Sequence, residues 1–106
     1  MSEKLKAIFE EMKNRFRPGV LEKRTSYYFS LGEGEGAKWT LYIGPEECEI
    51  VEGKDTEKAD CVLKTSEDFF SRMVLDDYMP GFSDFMMGKI KTNDPDLLKL
   101  FKEAFD

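Results

Sequence analysis

With 106 residues, 41% of them hydrophobic and 36% charged in mixed signs, the chain has the composition of one folded soluble domain over residues 1–106. The net charge of −6 is uneven: residues 1–24 hold seven Lys/Arg against four Glu, and the rest hold nine against eighteen acidic residues. That acidic excess disfavours nucleic acid, which needs a broad basic face, and apolar runs of two or three residues leave nothing to span a bilayer.

Leu5, Ile8, Phe9, Met12 and Phe16 recur at spacings of three and four, which predicts an amphipathic helix over residues 3–16. Ser2 is placed to cap it, Glu3 favours its first turn, and Pro18-Gly19 ends it. Three strands follow. Tyr27, Phe29 and Leu31 alternate with polar or amphipathic residues in the first, and Trp39, Leu41 and Ile43 do so in the second. Gly32-Glu33-Gly34-Glu35-Gly36 joins them as a hairpin connection. It is no phosphate loop, because no helix follows, no Lys-Ser/Thr closes it, and its glutamates repel anions. A turn at Gly44-Pro45-Glu46-Glu47 leads to a short strand around Cys48, Ile50 and Val51. The alternation predicts an antiparallel meander with one buried face and helices on that side.

After a polar connection over residues 53–58, Asp60-Cys61-Val62-Leu63-Lys64-Thr65 reads as a fourth strand with Cys61 and Leu63 inward. Thr65 or Ser66 then caps a helix with Phe69, Phe70, Met73 and Val74 on its apolar stripe, and Asp68 stands where a capping box has Glu. Asp76-Asp77 closes that helix. Tyr78-Met79-Pro80-Gly81 breaks the chain before a short helix carrying Phe82, Phe85 and Met86. Gly88 opens a fifth strand, whose Lys89 and Lys91 suit a sheet edge. Asp94 caps the last helix with Pro95 at its first position, and Leu97, Leu98, Phe101, Ala104 and Phe105 give it an apolar face.

Much chemistry is excluded at once. Without a histidine, no Ser-His-Asp or Cys-His nucleophile can be assembled, and a Cys/His zinc site cannot form. Glu46, Glu47, Glu49 and Glu52 read as a solvated strand edge rather than an acid/base pair. Cys48 and Cys61 fall at alternating strand positions, where a thiol is a small buried hydrophobe. No catalytic residue, metal or cofactor is therefore implied, and the chain is not expected to be an enzyme. The N-terminus lacks the apolar stretch of a signal peptide, so the cytoplasm is the expected location. The basic group Lys13, Arg15, Arg17, Lys23 and Arg24 offers either a solvated helix end or a transient contact with anionic membrane lipid.

What remains is a concentration of soft side chains. Phe9, Met12, Phe69, Met73, Met79, Phe82, Phe85 and Met86 are expected to face Tyr27, Phe29, Trp39 and Leu41 across the sheet. Methionine is unbranched and polarisable, so such a wall suits a flexible apolar ligand. An ordinary core uses the same residues, and periodicity alone leaves both readings open.

The segments Ala59-Asp60-Cys61-Val62-Leu63, Asp68-Phe69, Gly88-Lys89-Ile90-Lys91 and Leu97-Leu98 with Leu100-Phe101 resemble the late motifs of the sterol carrier protein 2 (SCP2) domain family. Where that family often has Gly-Asp after the fifth strand, this chain has Asn93-Asp94-Pro95, and Asn tolerates the left-handed conformation that a Gly would take. The C-terminus carries no peroxisomal tripeptide, which points to a stand-alone microbial version. The resemblance implies an α+β fold: a five-stranded, mostly antiparallel sheet in order 3-2-1-4-5, with helices covering one face and an apolar tunnel between the layers. It implies non-catalytic binding, and transfer, of a fatty acid, acyl-CoA or sterol-like lipid. Gly81 and Gly88 would be hinges, and Tyr27 or Trp39 a headgroup anchor. The alternative is an interaction or scaffold module with the same fold and a filled core. A subunit assisting an enzyme on hydrophobic substrates is a third reading.

Overall fold

The computed structural model describes residues 3–33 and 35–105, Glu35 by its backbone alone. Ser2, the expected cap of the first helix, and Gly34 of the glycine loop lie outside the described residues. The elements run α1 (Glu3–Arg15), β1 (Thr25–Ser30), a 3-10 turn (Glu35–Ala37), β2 (Lys38–Ile43), β3 (Cys48–Glu52), β4 (Cys61–Thr65), α2 (Glu67–Leu75), α3 (Phe82–Met86), β5 (Ile90–Thr92) and α4 (Pro95–Ala104). The strands form one mixed sheet in the order β3-β2-β1-β4-β5. All neighbours pair antiparallel except β1 with β4, which run parallel.

The alternation read from sequence sets the two faces of this sheet. Tyr27, Phe29, Trp39, Leu41, Ile43 and Leu63 are buried on one face, where α1, α2 and α4 lay their apolar stripes. Phe9 of α1 stacks on Trp39 at 4.4 Å between ring centroids, Phe70 of α2 meets Phe29 at 5.4 Å, and Phe101 of α4 meets Phe29 at 5.1 Å. On the outer face, the connection after β3 folds back across the strands. Thr40 Oγ1 donates to the Gly53 carbonyl at 2.8 Å and accepts from the Asp55 N–H at 2.9 Å. The Tyr42 hydroxyl donates to Asp55 at 2.6 Å. These bonds account for Thr40 being fully buried although it faces away from the helices.

Local chemistry fixes the helix ends. Ser66 caps α2 by accepting from the Phe69 N–H at 3.1 Å. The capping box expected at Asp68 does not form, because the cap is Ser66 and the third helical position is then Phe69; Asp68 instead pairs with Lys4 at 2.6 Å. Asp94 caps α4 through the Leu97 N–H at 3.0 Å, with Pro95 in the first helical position. The C-terminal carbonyls of α2 are closed by two cations from other helices. Arg15 donates to the Val74 carbonyl at 2.7 Å, and Lys102 donates to the Met73 carbonyl and to Asp77. Both charges sit where the helix dipole favours them. Asn93 is not in the left-handed region; its side-chain oxygen accepts from the Val62 N–H at 2.7 Å and so extends the β4 edge.

Candidate functional site

The interface between sheet and helices is where the twelve soft side chains were expected to meet. Eight of them do: Phe9, Met12, Tyr27, Phe29, Trp39, Leu41, Phe69 and Met73 are all buried together in the core. Phe85 is half-buried and packs against that cluster. Met79, Phe82 and Met86 differ from the expectation that they face the sheet, being 47%, 80% and 71% exposed. Met79 lies in the irregular connection before α3, and for Phe82 and Met86 the reason is the length of α3. A five-residue helix turns only Asp84 and Phe85 inward, which leaves Phe82 and Met86, one turn apart, on its outer side.

α3 is held by a small polar latch. The Tyr78 hydroxyl donates to Asp84 at 2.6 Å, and the same carboxylate oxygen accepts from the Gly81 N–H at 2.9 Å. These two bonds hold the Asp84 carboxyl below the usual carboxylate range, the tyrosine contributing most. Tyr78 is itself sandwiched, edge-on to Phe69 at 5.6 Å and beneath Arg72 at 4.6 Å. At the other end the Gly88 N–H donates to Phe85 and the Lys89 N–H to Asp84, with Gly88 at φ 75°. This is the Schellman pattern, and its left-handed position is why a glycine stands at residue 88.

The two proposed headgroup anchors are engaged already. The Tyr27 hydroxyl donates to the Leu97 carbonyl at 2.7 Å, tying β1 to α4, and burial pushes its phenol well up from the ordinary value. The Trp39 indole N–H donates to Gly36 at 3.0 Å. Burial also raises both thiols, and Cys48 and Cys61 are free. Neither is poised as a thiolate nucleophile.

Two concavities lie outside the helix–sheet interface. One, of about 1070 Å³, is lined by Arg24, Tyr42 and residues 44–49, a polar surface where Arg24 lies over Tyr42 and pairs with Glu49. The other, of about 610 Å³, opens beside the exposed end of α3, with Phe69 in its wall and Lys64, Arg72, Lys89 and Lys91 around it. These four cations were not read as a site from the sequence. The available signal was Lys89 and Lys91 following directly on Met86-Met87-Gly88. Among the described residues, no helix is long and apolar enough to cross a membrane.

A mixed sheet in the order 3-2-1-4-5, covered on one face by helices over a largely apolar interface, is the sterol-carrier type of α+β fold. The chain belongs to the SCP-2 sterol transfer family, which it matches over residues 5–105. No curated protein sequence matches it at a significant level. Among solved structures, it is similar to a sterol carrier protein 2 of Aedes aegypti in complex with palmitate, with a TM-score of 0.65 and 18% identity, covering 97% of this chain and 94% of that one. It is also similar to the sterol carrier protein 2-like 2 of Aedes aegypti, with a TM-score of 0.63, 15% identity and 95% of each chain covered. A stereoselective inverting sec-alkylsulfatase from Pseudomonas sp. gives a TM-score of 0.70 at 14% identity over 90% of this chain. The chain spans 15% of the length of that sulfatase. At these identities the likeness is one of fold.

Proposed function

We propose that the protein binds an acyl lipid, a fatty acid in the first instance, between its sheet and its helices, without covalent chemistry. The observation that carries this reading is the placement of apolar side chains at residues 75–87. Leu75, Met79, Phe82, Met86 and Met87 are exposed at the border of the buried core. A ligand would enter by lifting α3, which is anchored by one half-buried ring, Phe85, and by the Tyr78–Asp84 latch. Phe69, Met73 and Phe85 would then move aside, Phe9 and Met12 would line the helical wall, and Tyr27, Phe29, Trp39 and Leu41 the sheet wall. Met79, Phe82 and Met86 would fold over the chain. Each methylene leaving water contributes about 0.8 kcal/mol, which is the driving force for displacing loosely held residues. Family membership and the fold shared with a palmitate-bound protein support the choice of ligand. Transfer between membranes follows if the same segment opens at a bilayer.

The packed interior also favours a second reading, an interaction module that keeps its core filled. The two separate in one measurement. Delipidated protein is titrated with palmitate while thermal unfolding and Trp39 fluorescence are followed. A ligand that prefers the native state raises the midpoint by mass action. A midpoint and a fluorescence signal that both stay constant up to the solubility limit of the fatty acid would remove the lipid reading and leave the module.

A further inference from the structure

Among the described residues, the large apolar side chains left exposed are Leu75, Met79, Phe82, Met86 and Met87, all within one 13-residue stretch. Scattered exposed apolar residues are ordinary, but their confinement to one segment is the mark of a contact surface. The chemistry next to that segment says what it contacts. Lys89 follows the Schellman turn of α3, and Lys91 lies two residues further along β5, the edge strand. Lys91 pairs in register with Lys64 on β4. Like charges directly opposite on a sheet are unfavourable, and among the described residues no carboxylate lies within ion-pair distance of Lys64, Lys89 or Lys91. Of the acids nearby, Asp68 pairs with Lys4 and shares the concavity with the lysines, Asp77 pairs with Lys102, and Asp76 is exposed at the end of α2. Asp84 is turned inward to Tyr78, with Lys89 close enough to help hold its carboxyl below the usual range. The opposite edge strand, β3, and the turn before it carry Glu46, Glu47, Glu49 and Glu52. Four glutamates thus mark the β3 edge of the sheet, and three lysines gather at its β4–β5 end.

We infer that α3 and the adjoining β5 edge form a docking face for an anionic lipid bilayer. Phe82, Met86 and Met87 enter the headgroup boundary, and Lys64, Lys89 and Lys91 meet lipid phosphates around them, while the glutamates of β3 point away from the surface. A bilayer fits better than a protein partner because the face joins flexible apolar tips to lysines, whose compact, strongly hydrated charges suit a field of mobile phosphates rather than one fixed carboxylate. The basic group near the N-terminus is a weaker candidate. Arg15 is committed to Glu11 and the Val74 carbonyl, and Arg24 to Glu49.

The face shares Phe82 and Met86 with the lid of the proposed lipid site and so rests on that reading in part, but membrane contact is tested apart from palmitate uptake. Full-length protein is mixed with phosphatidylcholine vesicles containing about one third phosphatidylglycerol, and with pure phosphatidylcholine vesicles, and co-sedimentation is measured. Binding to the anionic vesicles alone is expected, weakening as salt screens the lysines. Lys89→Gln and Lys91→Gln each lower it about fivefold, and Phe82→Ser with Met86→Ser lowers it at least tenfold. Lys58→Gln, in the connection between β3 and β4, has no effect. Equal binding to both vesicle types, or an unchanged Phe82→Ser/Met86→Ser protein, overturns the proposal. So does a wild-type dimer by light scattering that the double substitution makes monomeric with no vesicle binding by either, which assigns the face to a second copy. Wild type that ignores vesicles but takes up palmitate defeats the docking face and spares the lipid site; vesicle binding without palmitate uptake does the reverse.

Discussion

α2 and α3 are neighbours in sequence and are built from the same side chains, yet one is sealed into the core and the other is half in water. Phe69, Phe70 and Met73 of α2 are buried, whereas Phe82 and Met86 of α3 rank among the most exposed apolar residues described. α2 has nine residues, a serine cap and two cations from α1 and α4 closing its C-terminus, so its whole stripe is pressed on the sheet. α3 has five residues and reaches the core through Phe85 alone, its polar latch resting on Tyr78 and Asp84. Apolar composition therefore does not decide burial. The length of an element and the number of anchors at its ends do.

The largest effect that would sharpen this contrast is at Phe70, which touches Phe9, Phe29 and Phe101. Phe70→Ala should cost about 3–5 kcal/mol in urea unfolding. Phe82→Ala should stay within about 0.5 kcal/mol of wild type. Similar losses at the two positions would break the comparison. Next comes the tie between sheet and α4. Tyr27→Phe removes one buried hydrogen bond to Leu97 and should lower stability by about 1 kcal/mol, read from the same denaturation curves. The cap of α4 is of similar size, and Asp94→Ala should cost about 1 kcal/mol in the same denaturation curves.

The smallest effect concerns the latch and is one of pH. Because the folded-state pKa of Asp84 lies below the ordinary carboxylate value of about 3.9, its contribution is complete above that value and is lost as pH falls through the lowered one. Amide resonances of residues 78–89 should therefore shift together in an NMR titration from pH 5 down to about 2. In Asp84→Asn that joint shift should vanish, and in Tyr78→Phe it should move to higher pH, because the largest cause of the lowered pKa is gone. A titration unaltered in both variants would mean that the latch does not hold α3.

The sequence carried the elements themselves, because their signals are local. The stripe at Leu5, Ile8, Phe9 and Met12, the alternation through Tyr27 to Leu31, the cap at Ser66 or Thr65 and the Asp94-Pro95 start of α4 each lie within a few residues, and α1, β1, α2 and α4 follow them. Eight of the twelve side chains proposed for the ligand also fall in the core by periodicity alone. The place of β4 beside β1 has no local signature; the order 3-2-1-4-5 entered through the family resemblance and stands in the structure, which adds that this pair runs parallel.

Tertiary structure decided the rest, and for one reason: those properties belong to pairs of residues distant in the chain. Nothing near Asn93 says that its amide extends β4 through Val62, and nothing near Arg15 or Lys102 says that both close the end of α2. The exposure of Phe82 and Met86 depends on how little of α3 reaches the sheet. The gathering of Lys64 with Lys89 and Lys91 depends on strand register. Periodicity tells which side of a helix is apolar, but only the packing of the whole chain tells whether anything is there to cover it.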